Sequence, residues 1–127
     1  MVQSEEFDAL SHRVIGCAME VHRQLGPGLL ESAYRTCLAH ELSMVGCLYE
    51  LERPVSIHYK GVELDCGFRM DLLVERSLVV ELKCVETLLP IHGAQLLTYL
   101  KLSGVHKGLL INFNSKVLRN GIRRLIL

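Results

Sequence analysis

The sequence predicts a single α/β domain, a central mixed β-sheet flanked by helices. Three observations lead there. Before residue 46 the apolar residues recur at three- and four-residue steps. Between residues 55 and 85 they alternate with polar residues or run on continuously. Helical spacing then returns at 90–102, ahead of another apolar strand. A length of 127 residues suits one domain, 1–127, with enough chain to bury one core.

The elements follow in order. From about Glu5 to Leu25, residues Phe7, Leu10, Val14, Ala18, Val21 and Leu25 form one helical face. Gly26-Pro27-Gly28 breaks that helix. A second helix reads from Leu29 to about Val45, with Gly46 as its stop. Val55, Ile57 and Tyr59 then alternate with polar residues, and Lys60-Gly61 is a turn. Val62 to Val74 reads as a strand bent at Gly67, and Leu78 to Val85 as the next. Pro90 to Leu102 is a helix ended by Gly104. Lys107 to Phe113 is an apolar strand, and Gly121 to Leu127 a short terminal one.

Composition excludes several classes. Half the residues are apolar and 22% charged, which is globular rather than disordered. The polar, acidic start is not a secretory signal, and the apolar runs are too short to span a bilayer. Five cysteines, an odd number without a C-x-x-C pair, argue against a disulfide framework or a zinc knuckle. They read as small buried hydrophobes in a cytoplasmic protein. Net charge is zero, but all 14 acidic residues precede residue 87. The last third carries Lys101, Lys107, Lys116, Arg119, Arg123 and Arg124 without one carboxylate. That asymmetry predicts a basic surface for a polyanionic partner.

Chemistry is concentrated on two strands. Alternate strand residues share a face. Leu78, Val80, Leu82 and Cys84 therefore make one apolar face, and Val79, Glu81, Lys83 and Val85 the other. Glu81 and Lys83 are thus neighbours on a strand that reads as buried, where charge is costly unless paired or bound to a metal. Asp71 interrupts the apolar run of the preceding strand, a position where Asp is depleted. Glu75-Arg76-Ser77 is short enough for a hairpin turn, which places Asp71 beside Glu81. Two carboxylates about 4 Å apart repel by about 4 kcal/mol at an effective dielectric of about 20. Such a pair holds either a proton or a divalent cation, and Mg²⁺ prefers hard oxygen ligands with one or two carboxylates. Lys83 beside them suits a general base or a stabiliser of developing negative charge. Glu31 stands in the first turn of the second helix, near its positive end, with Tyr34 one turn on. Gln95 and Tyr99 share a face of the later helix. His22 and His92 read as satisfied core or surface histidines.

Asp71, then Glu81-Leu82-Lys83, then Gln95-Leu96-Leu97-Thr98-Tyr99 resembles the D…E-x-K…Q-x-x-x-Y series of PD-(D/E)xK nucleases, especially the RecB-type branch. Gly28-Leu29-Leu30-Glu31-Ser32-Ala33-Tyr34 is similar to the motif of the GxxExxY family within that superfamily. The likeness runs from about His22 to Arg124. Met70 stands where the motif's name has Pro, and RecB-type members also vary there.

The resemblance implies a restriction-endonuclease-like core and Mg²⁺- or Mn²⁺-dependent hydrolysis of phosphodiester bonds in nucleic acid, DNA ahead of RNA. Asp71 and Glu81 match the metal-binding carboxylates, with the Leu82 carbonyl as a backbone ligand and Glu31 as the acidic residue of the first core helix. Lys83 matches the catalytic lysine. Gln95, Tyr99 and Tyr34 match residues that line the site and touch substrate. A domain this small covers little nucleic acid alone, which points to a homodimer or a larger protein partner, and no membrane. The alternative function is a non-catalytic module that keeps the nuclease fold to bind nucleic acid or protein.

Overall fold

The structure, a computed structural model, describes residues 4–127, with side chains from Ala9 onward. Helices α1 (Ser4–Leu25) and α2 (Glu31–Met44) are followed by strands β1 (Tyr49–Tyr59), β2 (Val62–Val74) and β3 (Leu78–Lys83). Helix α3 (Pro90–Ser103), strand β4 (Lys107–Asn112), a 3₁₀ turn (Leu118–Gly121) and strand β5 (Ile122–Ile126) complete the domain. The five strands lie side by side in chain order. β1–β2, β2–β3 and β4–β5 are antiparallel, while β3 and β4 are parallel with α3 as the crossover. This is the mixed sheet flanked by helices that the hydrophobic pattern predicts.

The sheet is covered on both faces. Val14, Ala18 and Val21 of α1 and Leu38 and Leu42 of α2 pack on Leu72, Val74, Leu78, Val80, Leu82, Leu109 and Ile111. On the other face Leu96, Tyr99 and Leu100 of α3 pack on Val55, Met70, Leu73, Val79 and Leu110. β3 and β4 are central and apolar on both sides, as parallel strands under helices must be. The alternation expected of β3 is therefore observed: Leu78, Val80 and Leu82 face α1 and α2, and Val79 faces α3.

β1 begins at Tyr49, six residues before the alternating stretch marks it. Its first residues are charged, and pairing of Tyr49 with Val74 and Leu51 with Leu72 makes them a strand. β3 ends at Lys83 and β4 at Asn112, because β3 pairs with β4 only through Lys83 and Asn112. Two tight turns have left-handed residues, Lys60 and Gly61 between β1 and β2, and Glu75 and Arg76 between β2 and β3. Such turns match the twist of paired strands. The distal part of the β1–β2 hairpin, Val62–Arg69, is exposed and unpaired with β3, which meets β2 only at 72–74. Of the cysteines, Cys17 and Cys47 are buried, Cys37 and Cys84 half-buried, and Cys66 is exposed near the hairpin bend. The expectation of five buried thiols fails there because both faces of the distal hairpin meet solvent.

α3 is seated by a close approach. A Cβ on Gly108 of β4 would lie 3.0 Å from both methyls of Leu96, which is fully buried. A side chain there requires Leu96 to give way by a few tenths of an ångström. Gly108→Ala is expected to lower stability by about 1–3 kcal/mol, measured by urea unfolding. Unchanged stability would mean that Leu96 has room to move.

Candidate active site

β2 and β3 separate where the two carboxylates stand. Their ladder runs from Val74 and Leu78 to Leu72 and Val80 and stops. At the next position side chains replace the main-chain acceptors. The Asp71 N–H donates to Glu81 Oε1 at 3.0 Å, and the Leu82 N–H donates to Asp71 Oδ2 at 2.8 Å. Each strand's main-chain donor is thus met by the other strand's carboxylate. The N–H and C=O of one strand residue point to the same edge. The Leu82 carbonyl therefore faces the widening gap too, while the Lys83 carbonyl points to β4 and accepts the Phe113 N–H at 2.9 Å.

The pair is electrostatically frustrated. Glu81 is 5% exposed. Burial first, and the neighbouring charge of Asp71 second, push its carboxyl up to about 8. The Asp71 N–H and the Lys83 ammonium act against that rise without cancelling it. Lys83, at the end of β3, is half-buried.

Helices approach the gap from both sides. From α2, Arg35 Nη1 donates to Asp71 Oδ1 at 3.3 Å, and Arg35 Nη2 lies 3.8 Å from Glu52 Oε1 of β1. From α3, Gln95 Nε2 donates to the Tyr99 hydroxyl at 3.3 Å. Tyr99 is close enough to Glu81 and Asp71 that their charges add to burial in raising its phenol. Beyond β3, Asn112 is buried and acts as a clamp. Its amide donates to the Val85 carbonyl at 2.8 Å and its Oδ1 accepts the Val85 N–H at 3.0 Å. The chain leaving Lys83 is thereby held.

Several expected residues stand elsewhere. Tyr34 is 0% exposed and stacks on Phe113 with ring centroids 4.5 Å apart. Its hydroxyl donates to the Gly26 carbonyl and accepts the Leu29 N–H, pinning the Gly26-Pro27-Gly28 loop. The expectation that Tyr34 touches substrate is corrected: a buried phenol with both hydroxyl functions engaged is a structural pin. Glu31 is half-buried one turn before Arg35. After burial, its charge is the second influence that raises the Cys84 thiol to about 11, which places it by the end of β3. No group of three His, Cys, Asp or Glu side chains able to hold a metal ion occurs among the described residues. Glu31 therefore does not close a three-carboxylate cluster with Asp71 and Glu81. His22 bonds the Ser115 carbonyl oxygen through Nε2, and His92 Nδ1 accepts the Leu89 N–H at the start of α3.

The single basic surface expected of the last third is also corrected. Lys107 opens β4 opposite Leu78, whereas the site lies at the Lys83 end of the same pair. Arg123 pairs with Leu110, which faces α3, and Arg124 with Leu109, which faces α1 and α2. Residues clustered in sequence are dispersed over both faces and both ends.

Arg35, Glu52 and Asn112 were not singled out by the sequence pattern. Arg35 has one signal, its four-residue spacing from Glu31 on one helix face. Glu52 and Asn112 have none, since only strand pairing brings them here.

A three-layer α/β domain with paired strand carboxylates at the point where the sheet opens, and a lysine beside them, defines a nuclease-like class. Comparison at the family level matches residues 8–125 to the PD-(D/E)XK nuclease superfamily, to which the chain belongs. Comparisons with curated proteins and with solved structures give no match. Superfamily membership implies a nucleic-acid substrate, and these nucleases generally use divalent metals. Among the described residues no helix is long and apolar enough to cross a membrane.

The donor set fits such a metal. Two carboxylates and a main-chain carbonyl converge on one gap, all hard oxygen donors, in the small number that lets Mg²⁺ or Mn²⁺ keep several waters. Without a cation the site is pH-sensitive. The folded state raises Glu81 from 4.5 to about 8, so it binds protons more tightly than the unfolded chain. The stability this contributes is complete below the unfolded value and is lost as pH rises through about 8. The melting temperature of metal-free protein is expected to fall across that window, and Glu81→Gln to flatten the fall. Parallel profiles for the two proteins would contradict the burial of an uncompensated carboxylate.

Proposed function

We propose that this chain is a divalent-metal-dependent nuclease of the GxxExxY branch that hydrolyses phosphodiester bonds in nucleic acid, DNA ahead of RNA. The observation that carries the reading is the reciprocal bonding of Asp71 and Glu81 at the parting of β2 and β3, with Lys83 on the Glu81 face. Asp71, Glu81 and the Leu82 carbonyl would hold Mg²⁺ or Mn²⁺, while Glu31 stands apart from that set at the start of α2. A metal bound there polarises a phosphoryl oxygen and lowers the pKa of a bound water.

The remaining roles belong to the chain. Lys83 orients the attacking water or stabilises charge developing on the phosphate. Tyr99 and Gln95 form a polar wall on the α3 side that can hydrogen-bond a substrate backbone. Asn112 and the Lys83 carbonyl hold the end of β3, so that Glu81 and Lys83 keep their relative placement. A homodimer or larger protein partner would extend the surface offered to nucleic acid, and the cysteine usage suits the cytoplasm.

The dispersal of the basic residues favours a second reading, a non-catalytic binding module. The carboxylate pair, with Glu81 buried and Asp71 half-buried, weighs against it. A module that binds phosphates gains nothing from two acidic side chains at its centre, and the Glu81 carboxylate lowers the stability of the empty fold above its raised pKa.

Calorimetry with Mn²⁺ is expected to show binding by the wild type and loss of it in Asp71→Asn. Equal binding by both would remove the site. In a Mn²⁺-supported cleavage assay on single- and double-stranded DNA and on RNA, Lys83→Ala is expected to lose about 10²–10⁴-fold in rate. Its melting temperature should change little, since Lys83 contributes to neither apolar core. A wild type that binds Mn²⁺ and cleaves nothing supports the binding module instead.

A further inference from the structure

The loose contacts of Arg35 carry an inference about how the site accepts its cation, and it rests on the metal-binding reading above. Of the surface pairs described, Arg23–Glu20 and Arg53–Glu50 close to 2.8 Å, while Arg69–Asp65, with the most exposed carboxylate of the three, stands at 3.4 Å. The shorter distance is that of a well-formed charge-assisted bond. Arg35 is more buried than any of these arginines, its side chain 20% exposed, yet its bond to Asp71 is long and its approach to Glu52 longer still. It stays 3.3 Å from Asp71 and 3.8 Å from Glu52. A half-buried guanidinium held between two carboxylates is shared by them.

The atoms and the backbone say more. Asp71 Oδ2 accepts the Leu82 N–H, a bond within the sheet, so a cation meets Asp71 most readily at Oδ1, the oxygen that Arg35 touches. Glu52 stands opposite Asp71 across β1 and β2, where the ladder skips both residues between the pairs Leu51–Leu72 and Arg53–Met70. Its backbone is left-handed, with φ of 48°, a conformation unfavourable for a residue with a side chain. The packing of α2 and the break in β1 thus bring a second carboxylate to the guanidinium.

We propose that Arg35 is a positioning residue, a displaceable counter-ion that competes with the divalent metal for Asp71 and is drawn off by Glu52. In the empty site Arg35 holds Asp71 toward the gap. When a divalent ion takes Asp71, like charges repel and the guanidinium moves onto Glu52.

The proposal predicts opposite effects from two substitutions, measured as the Kd for Mn²⁺ by calorimetry on the full chain. Arg35→Gln removes the competitor and is expected to tighten Mn²⁺ binding by about tenfold, the scale of one nearby charge in a partly solvated site. Glu52→Gln leaves Arg35 wholly on Asp71 and is expected to weaken binding by about threefold, because only a shared interaction is redistributed. In the double variant the Glu52 substitution is expected to have no further effect, since it acts through Arg35. A purely structural role predicts weakening, or no change, in both single variants. Should Arg35→Gln fail to fold, Arg35→Met, which keeps the apolar stem without the charge, takes its place with the same tightening expected. Unchanged or tighter binding in Glu52→Gln overturns the proposal, as does unchanged or weaker binding in a folded Arg35→Gln. Both outcomes leave the metal site standing if the wild type binds Mn²⁺. A wild type that binds no Mn²⁺ overturns the metal reading itself and this inference with it.

Discussion

At the point where β2 and β3 part, two main-chain donors are satisfied by two carboxylates, each from the opposite strand. A buried N–H without an acceptor costs as much as a lost hydrogen bond, so strands rarely separate inside a core. Here Asp71 and Glu81 supply the acceptors, and the sheet can open without orphaning these two N–H groups. The opening exposes the Leu82 carbonyl to the same gap and carries Lys83 to its mouth. It also forces the Glu81 carboxylate into a nearly closed environment, where its ionisation is disfavoured. Structure and chemistry therefore depend on one pair of bonds: the groups that let the sheet open are the groups left poised for a cation.

The layers on either side keep that pair in place. The parallel partner β4 takes the other edge of β3 from Leu78 to Lys83. Asn112 and Phe113 extend the attachment past the last ladder position. Gly108 lets Leu96 of α3 sit directly on β4, which brings Gln95 and Tyr99 over the carboxylates. On the opposite face Tyr34 stacks on Phe113 and ties down the loop that precedes α2, which sets the position of Arg35 and Glu31. The glycine-rich break and the tyrosine one turn into the helix are thus a single local device, a loop closed by a phenol.

Legibility followed the range of the interaction responsible. Asp71, Glu81 and Lys83 stood out because charges in an apolar run contradict their surroundings, a conflict visible within a few residues. The alternation of Leu78 to Lys83 showed which residues share a face, and the burial of both faces agrees with it. The first half of β1 was hidden, because its strand character comes from pairing with β2 rather than from its own charged residues. The basic last third was misleading. Sequence proximity implied a shared surface, but Arg123 and Arg124 alternate across β5 and Lys107 begins its strand at the far end of the sheet.

The sequence by itself determined the α/β class, the order of the elements and the carboxylate–lysine set, because periodicity and misplaced charge are local properties of the chain. Tertiary structure alone decided how those residues are used. It set the reciprocal bonds of Asp71 and Glu81, the burial of Tyr34, the separation of Glu31 from the carboxylate pair and the contact of Arg35 with Asp71 and Glu52. Each of these joins segments 10 to 36 residues apart or sets burial by packing from several elements at once. No run of neighbouring residues encodes such relations. They exist only once strand register and helix packing have brought the segments together.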